Sequence, residues 1–209
     1  NETKIILQAA VLNFSLDHLI TGANLVDGKL LFWTDDYNEP RSMNVNDSLL
    51  FLDDEPLTQA ISAMKYMPPA PPRAFYNKDE CYTANHLRGS LWQFRVQYEY
   101  ADGAKSAWSP ISKTPIPEGE EQLMQNRYYD ITRNNCIDIE IPAQSFLVKK
   151  VNLAVRKGNL GEFMLIDTLD EPIGSFYRFY NNNVLTGIDV NDSNKLYDAV
   201  PKLSKAQEI

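Results

Sequence analysis

The chain has 209 residues, 44% of them hydrophobic, with 20 basic against 28 acidic side chains for a net charge of −8. That length and apolar content suit one large or two modest domains with real cores, and they set disorder aside as a default. The acidic balance argues against nucleic-acid recognition, which needs a basic stripe to displace counterions, and no run reaches the roughly 18 apolar residues of a membrane-spanning helix.

Residues 4–14 form a near-continuous apolar run that predicts a strand buried on both faces, with a short helix as the other reading. In residues 18–45, Gly22 and Asp27-Gly28 punctuate two apolar strands, the second over residues 29–34, and Asp35, Asp36, Asn38 and Pro40 make a polar turn whose Asx side chains can bond their own backbone. Extended chain resumes at residues 43–45. Asp53-Asp54-Glu55-Pro56 reads as a helix entrance, with acids for the dipole and Pro where its missing N–H costs nothing. Leu57, Ala60, Ile61 and Met64 then share one helical face, and the helix is expected to stop at Pro68-Pro69. The following MPPAPPRA is a stiff spacer that separates two subdomains.

After a polar entry over residues 76–88 comes the most legible stretch, LWQFRVQYEYADGAKSAWSPISKTPI. Trp92, Phe94, Val96, Tyr98 and Tyr100 alternate with Gln93, Arg95, Gln97 and Glu99, the period of a strand that buries one face and wets the other. Asp102-Gly103 supplies the turn, and Ala104, Ser106, Trp108 and Pro110 carry a second strand near a sheet edge. Residues 115–135 read as a long loop with a helical turn. Strands return over residues 136–141, 148–157, 163–169 and 175–180. In the second of these Val151, Leu153 and Val155 are expected inward, and Lys150, Asn152, Ala154 and Arg156 outward. Antiparallel strands at this spacing, joined by Gly, Asn and Asp turns, predict a β-sandwich. Residues 191–209 read as an exit linker.

Motifs for chemistry are scarce. The chain holds no nucleotide-binding, nucleophile-elbow or zincin motif, and its two histidines, His18 and His86, are few for an imidazole metal site. Cys81 and His86 lie close in sequence but lack an orienting third group, and Cys81 and Cys136 read as inert, partly buried thiols, a disulfide being the lesser reading. Asp189, Asn191 and Ser193 begin like a calcium loop, but Asn194 stands where Gly is needed and Val200 where Glu is needed, so a polar turn is the better reading. Asp35-Asp36 and Asp53-Asp54 are accounted for by turn and cap. The hairpin aromatics read as core before they read as a sugar platform. No catalytic, cofactor-binding or metal-binding residue is assigned, and a non-enzymatic chain is expected.

Two stretches resemble known families. WQFRVQYEYADGAKSAWSPIS is similar to the F and G strands of fibronectin type III and related immunoglobulin-like modules. Leu31, Phe32, Trp33, Thr34, Asp35, Asn38, Pro40, Arg41 and Asn44, together with Val200, Pro201, Gln207 and Glu208, resemble recurrent segments of the muzzle or nozzle tail proteins of crAss-like podoviruses of gut Bacteroidota; Ser204 stands where that pattern has Ala. The resemblance implies an immunoglobulin-like domain (residues 75–190) inserted, after the spacer (67–74), into a propeller-like frame. The frame would comprise a β-meander and short helix (1–66) and the exit linker (191–209). It further implies a virion tail protein whose partners are identical subunits in a ring and other tail proteins, leaving glycan or receptor contact open. The missing initiator Met and the abrupt ending fit a piece of a longer polypeptide. The alternative is a fibronectin-like carbohydrate-binding or spacer module of a bacterial surface or secreted protein, contacting saccharide through exposed aromatics such as Trp33 or Trp108.

Overall fold

The computed structural model describes residues 5–46, 54–101, 103–117, 134–170 and 176–189, without the side chains of 54–56. It is mainly β, and all its sheets are antiparallel. The chain divides into two compact units, built mainly from residues 5–66 and from residues 67–189.

The first unit is a meander of β1 (Gly22–Val26), β2 (Leu30–Thr34) and β3 (Arg41–Asn44), in the order β1-β2-β3. Asp27 and Gly28, both at positive φ (51° and 65°), form the first turn, and the Lys29 N–H donates to Val26 O at 3.0 Å. Two successive left-handed residues match the twist of the flanking strands. Helix α1 (Asp54–Ile61) sets Leu57 and Ile61 against Trp33 and Met43, a small core in which all four are buried. The helix ends at Ile61, earlier than the prolines require, because the Ala63 N–H turns away to donate to Pro40 O at 3.0 Å and Ser62 bridges to Arg41. Met64 therefore lies beyond it.

Residues 5–14 form neither a buried strand nor an α-helix. They carry only a 3-10 turn, Ala10–Leu12, closed by the left-handed Asn13. Ile6, Leu7, Val11 and Leu12 pack partly on the small core while Ile5 and Phe14 stay exposed. The core offers one side to cover, so a run apolar on every side cannot all be buried.

In the second unit, β4 (Arg73–Asn77), β6 (Cys136–Glu140) and β9 (Phe176–Phe179) form one sheet, ordered β4-β6-β9. A second sheet, β10-β8-β7-β5, contains β5 (Trp92–Tyr100), β7 (Val148–Lys157), β8 (Met164–Asp170) and the short β10 (Thr186–Gly187). Phe94, Val96, Val151 and Leu153 of one sheet and Ile137, Ile139 and Phe179 of the other bury themselves in a single cluster. Phe179 meets Trp92 and Phe94 edge-on, with centroids 5.3 and 5.4 Å apart. β4 begins at Arg73, within the stretch read as spacer and polar entry.

The middle of the other face of β5 and β7 is covered, while Lys150, 44% exposed, meets water as expected. Gln97, Asn152 and Ala154 are buried, and Trp108 and Phe163 pack with Ala154 in a further apolar cluster. The polar residues there satisfy one another: Gln97 Nε2 donates to Ser106 O (2.9 Å), Asn152 Nδ2 to Gln97 Oε1 (3.0 Å), and Thr168 Oγ1 to Asn152 Oδ1 (2.8 Å). Alternation marks two faces but does not say that the polar one meets water.

Beyond the turn, with Gly103 at φ 78° and Asp102 outside the described residues, the hairpin's second arm is no regular strand. Lys105 bridges to Glu99; then Ser106, Ser109 and Ser112 face Tyr98, Val96 and Phe94. Each serine N–H donates to the facing carbonyl, at 2.8–2.9 Å. Each hydroxyl oxygen accepts the facing N–H, at 3.0, 3.1 and 2.9 Å in the same order. Three residues thus span two of β5, one extra per step as in a bulge, and the serine oxygen stands in for the strand carbonyl that the offset removes. The edge of β5 is closed without a ladder partner.

Candidate functional site

The L-F-W-T-D-x-x-N-x-P-R-x-x-N segment builds a positioned surface in the first unit. Trp33 anchors it in the core. Asp35, almost fully buried, accepts through Oδ1 from the Tyr37 N–H (3.1 Å) and the Asn38 N–H (2.7 Å), and through Oδ2 from Asn38 Nδ2 (2.7 Å). Burial would raise its carboxyl, but these donors and the Arg41 charge outweigh it and hold the pKa below the ordinary value. Asn38, fixed in this way, grips the preceding loop: Asn13 Nδ2 donates to Asn38 Oδ1 (2.9 Å), and Asn38 Nδ2 to Asn13 O (3.2 Å). His18 stacks on Tyr37 with centroids 4.6 Å apart and planes 8° apart.

The loop held there presents apolar side chains to solvent. Phe14 is 54% exposed, Leu16 95%, Leu19 70% and Ile20 52%, and β1 adds Leu25 and Val26. Ile5, Phe14 and Ile20 also line an open groove of about 290 Å³ floored by Leu31, Trp33 and Met43. Exposed apolar residues scattered singly need no explanation, but several on one pinned loop beside an apolar groove have the character of an interaction surface. Asp35→Ala removes three accepted hydrogen bonds at a buried turn. It should cost the first unit about 1–3 kcal/mol and speed amide hydrogen exchange over residues 13–20, while exchange in β5 and β7 stays unchanged.

The second unit holds a buried and half-buried polar cluster around Arg178. Arg178 binds Asp138 with both arms, Nε to Oδ1 at 2.6 Å and Nη2 to Oδ2 at 3.0 Å, and reaches Asp79 Oδ2 at 3.4 Å through Nη1. Asn77 Nδ2 donates to Asp138 Oδ2 at 2.6 Å, and the Tyr180 hydroxyl donates to Asp79. Asn135 ties the backbone of Asp79 and Tyr82 to the sheet. The Tyr180 bond and the Cys81 N–H hold Asp79 below the ordinary carboxylate range; at Asp138 burial acts upward, but Arg178 and Asn77 outweigh it. Burial and the Asp79 bond push the Tyr180 phenol up to about 12. One guanidinium offsets one of the two carboxylate charges, and Oδ2 of Asp138 and Oδ2 of Asp79 each accept two hydrogen bonds, so the side chains hold one another in place. The cluster latches the segment after β4 onto the sheet.

Cys81 and Cys136 are both free; Cys81 is exposed, contrary to the partly buried reading, whereas burial pushes the Cys136 thiol up to about 11. Trp33 and Trp108, the aromatics proposed to touch saccharide, are each 5% exposed, and Trp92, Phe94, Tyr98 and Tyr100 are buried, so none offers a stacking face. Among the described residues no group of three or more His, Cys, Asp or Glu is placed to hold a metal, and no helix is long and apolar enough to cross a membrane. The calcium-like stretch after Asp189, the segment over 197–209 and the loop over 118–133 lie outside the described residues. Sequence reading missed the pinned loop 13–20. Its one signal was an apolar FSLDHLI following an Asn, with no period to assign it. Compared with known proteins, the chain matches no family model and no curated protein.

Proposed function

We propose that the chain is a non-enzymatic structural part of a phage virion tail, of the muzzle or nozzle type. In this reading it assembles with identical subunits in a ring and with other tail proteins, and serves assembly and the passage of genome or cargo. The observation that carries an assembly role is the pinned apolar loop, with Leu16 and Leu19 held outward by Asn38 and Tyr37. Fixing apolar groups in water has no return in an isolated chain, whereas between subunits it contributes pre-organised contact area. The tail assignment rests on the resemblance of residues 31–44, whose Trp33, Asp35 and Asn38 build that surface. The meander would belong to a propeller-like frame.

The second unit we read as an immunoglobulin-like sandwich with permuted chain order. Residues 105–112, β5, β7 and β8 lie side by side as G, F, C and C′ strands do, but the F and G positions come first in the chain. Electron microscopy of the intact protein tests the reading. Closed rings of identical subunits are expected, since head-to-tail contacts between copies either close or polymerise, and a strictly monomeric protein at high concentration would contradict it.

A further inference from the structure

β1 is an unguarded edge strand. It pairs with β2 over Gly22–Val26 without a register shift, and its other edge has no strand partner among the described residues. Four of its five residues are exposed, Leu25 by 51% and Val26 by 41%. Edges are usually kept from pairing by lysine, proline, a bulge or a covering segment, and the sequence GANLV has neither lysine nor proline. Two other edges are closed: residues 105–112 cover β5, and Ser62 and Ala63 cover the start of β3.

Unpaired main-chain N–H and C=O groups along an edge are matched by an extended chain, and the side chains of β1 select which one. Directly opposite residues of an antiparallel pair share a face. Ala23 and Leu25 therefore lie with Leu31, Trp33 and Met43 on the side of the apolar groove, and Gly22, Asn24 and Val26 lie on the other. Reversed on itself about Asn24, the strand sets Leu25 of one copy opposite Ala23 of the other, Val26 opposite Gly22, and Asn24 opposite Asn24. Each large apolar residue meets a small one, no charge meets a charge, and the two amides can bond each other. Ala23 lines the groove of about 290 Å³, so the incoming Leu25 has an apolar seat there. A slip of one residue would turn Leu25 to the face away from the groove, so the seat fixes the register.

We propose that β1 pairs antiparallel with β1 of a second copy of this chain, joining two three-stranded meanders into one continuous sheet. The contact is two-fold and stops at two copies, whereas a ring is closed by head-to-tail contacts. It goes beyond the tail reading and does not rest on it: a ring can close without the β1 pair, and the β1 pair can form in a protein that builds no ring.

Sedimentation equilibrium of the 209-residue chain tests it. Five residues a side make a small interface, so a dimer with a Kd on the order of 100 µM is expected, monomeric at low micromolar concentration and mostly paired at about 1 mM. In a mixture of isotope-labelled and unlabelled chain at that higher concentration, the Leu25 methyls should give intermolecular NOEs to the Ala23 methyl. Leu25→Lys puts a charge into the seat and should weaken pairing at least about tenfold, with unchanged dispersion of the amide spectrum checking that the variant folds. A chain still monomeric at about 1 mM, a dimer without the Ala23–Leu25 contact, or a folded Leu25→Lys chain that pairs like the parent would each overturn the proposal.

Discussion

Replacing Ser106, Ser109 and Ser112 together by Ala should bring the second unit close to unfolding. Each hydroxyl oxygen is the acceptor for one N–H of β5, on Tyr98, Val96 and Phe94, and all three serines are buried. Alanine keeps the backbone bond to the facing carbonyl but strands the N–H where water does not reach. Each stranded donor costs about 1–3 kcal/mol, so the three together remove several kcal/mol from a stability of about 5–15 kcal/mol. Ser109→Ala alone should lower the urea midpoint by the single-site amount with an unchanged m value, whereas Lys113→Ala, an exposed neighbour, should stay within about 0.5 kcal/mol. A triple variant as stable as the parent would show that the serine oxygens do not replace strand carbonyls.

Asp138→Ala should cost about 2–3 kcal/mol. It removes the partner of both arms of Arg178 and of Asn77. Breaking a fully buried pair would cost more, about 3–5 kcal/mol, but the Arg178 side chain is 32% exposed and can recover some hydration. The pH dependence has a defined sign. Asp138 and Asp79 both have folded pKa values lowered from 3.8, so their contribution is full above the unfolded value and fades as pH falls through the folded ones. The parent should therefore lose stability below about pH 4. Asp138→Asn should have a shallower acid limb, with its largest deficit at neutral pH. Denaturant midpoints measured from pH 2 to pH 7, at intervals of about one unit, check both; equal acid limbs would remove Asp138 from the latch.

Local rules explain what the sequence disclosed. The alternation of β5 and β7 identified the inward residues because their side chains share one core, and Asp27-Gly28 marked a turn because the pair tolerates two left-handed conformations in succession. Leu57 and Ile61 announced the buried face of α1. The latch was hidden because Asp138 and Arg178 are 40 residues apart and Asp79 and Arg178 are 99 apart. The serine ladder repeats every third residue, a period belonging to neither strand nor helix, and its meaning depends on β5 lying opposite. β4 escaped because five residues after a proline run show too little alternation.

The assembly role turns on whether loop 13–20 is covered when the protein is assembled. Hydroxyl-radical footprinting, read by mass spectrometry on the assembled intact protein and on the isolated chain, measures this directly. Leu16, Leu19 and Leu25, exposed in the chain by 95%, 70% and 51%, should be strongly protected on assembly, while the equally accessible Leu160, at 99%, keeps its reactivity. Leu16 and Leu19 reacting as fast in the assembly as in the isolated chain would contradict the assignment of this surface.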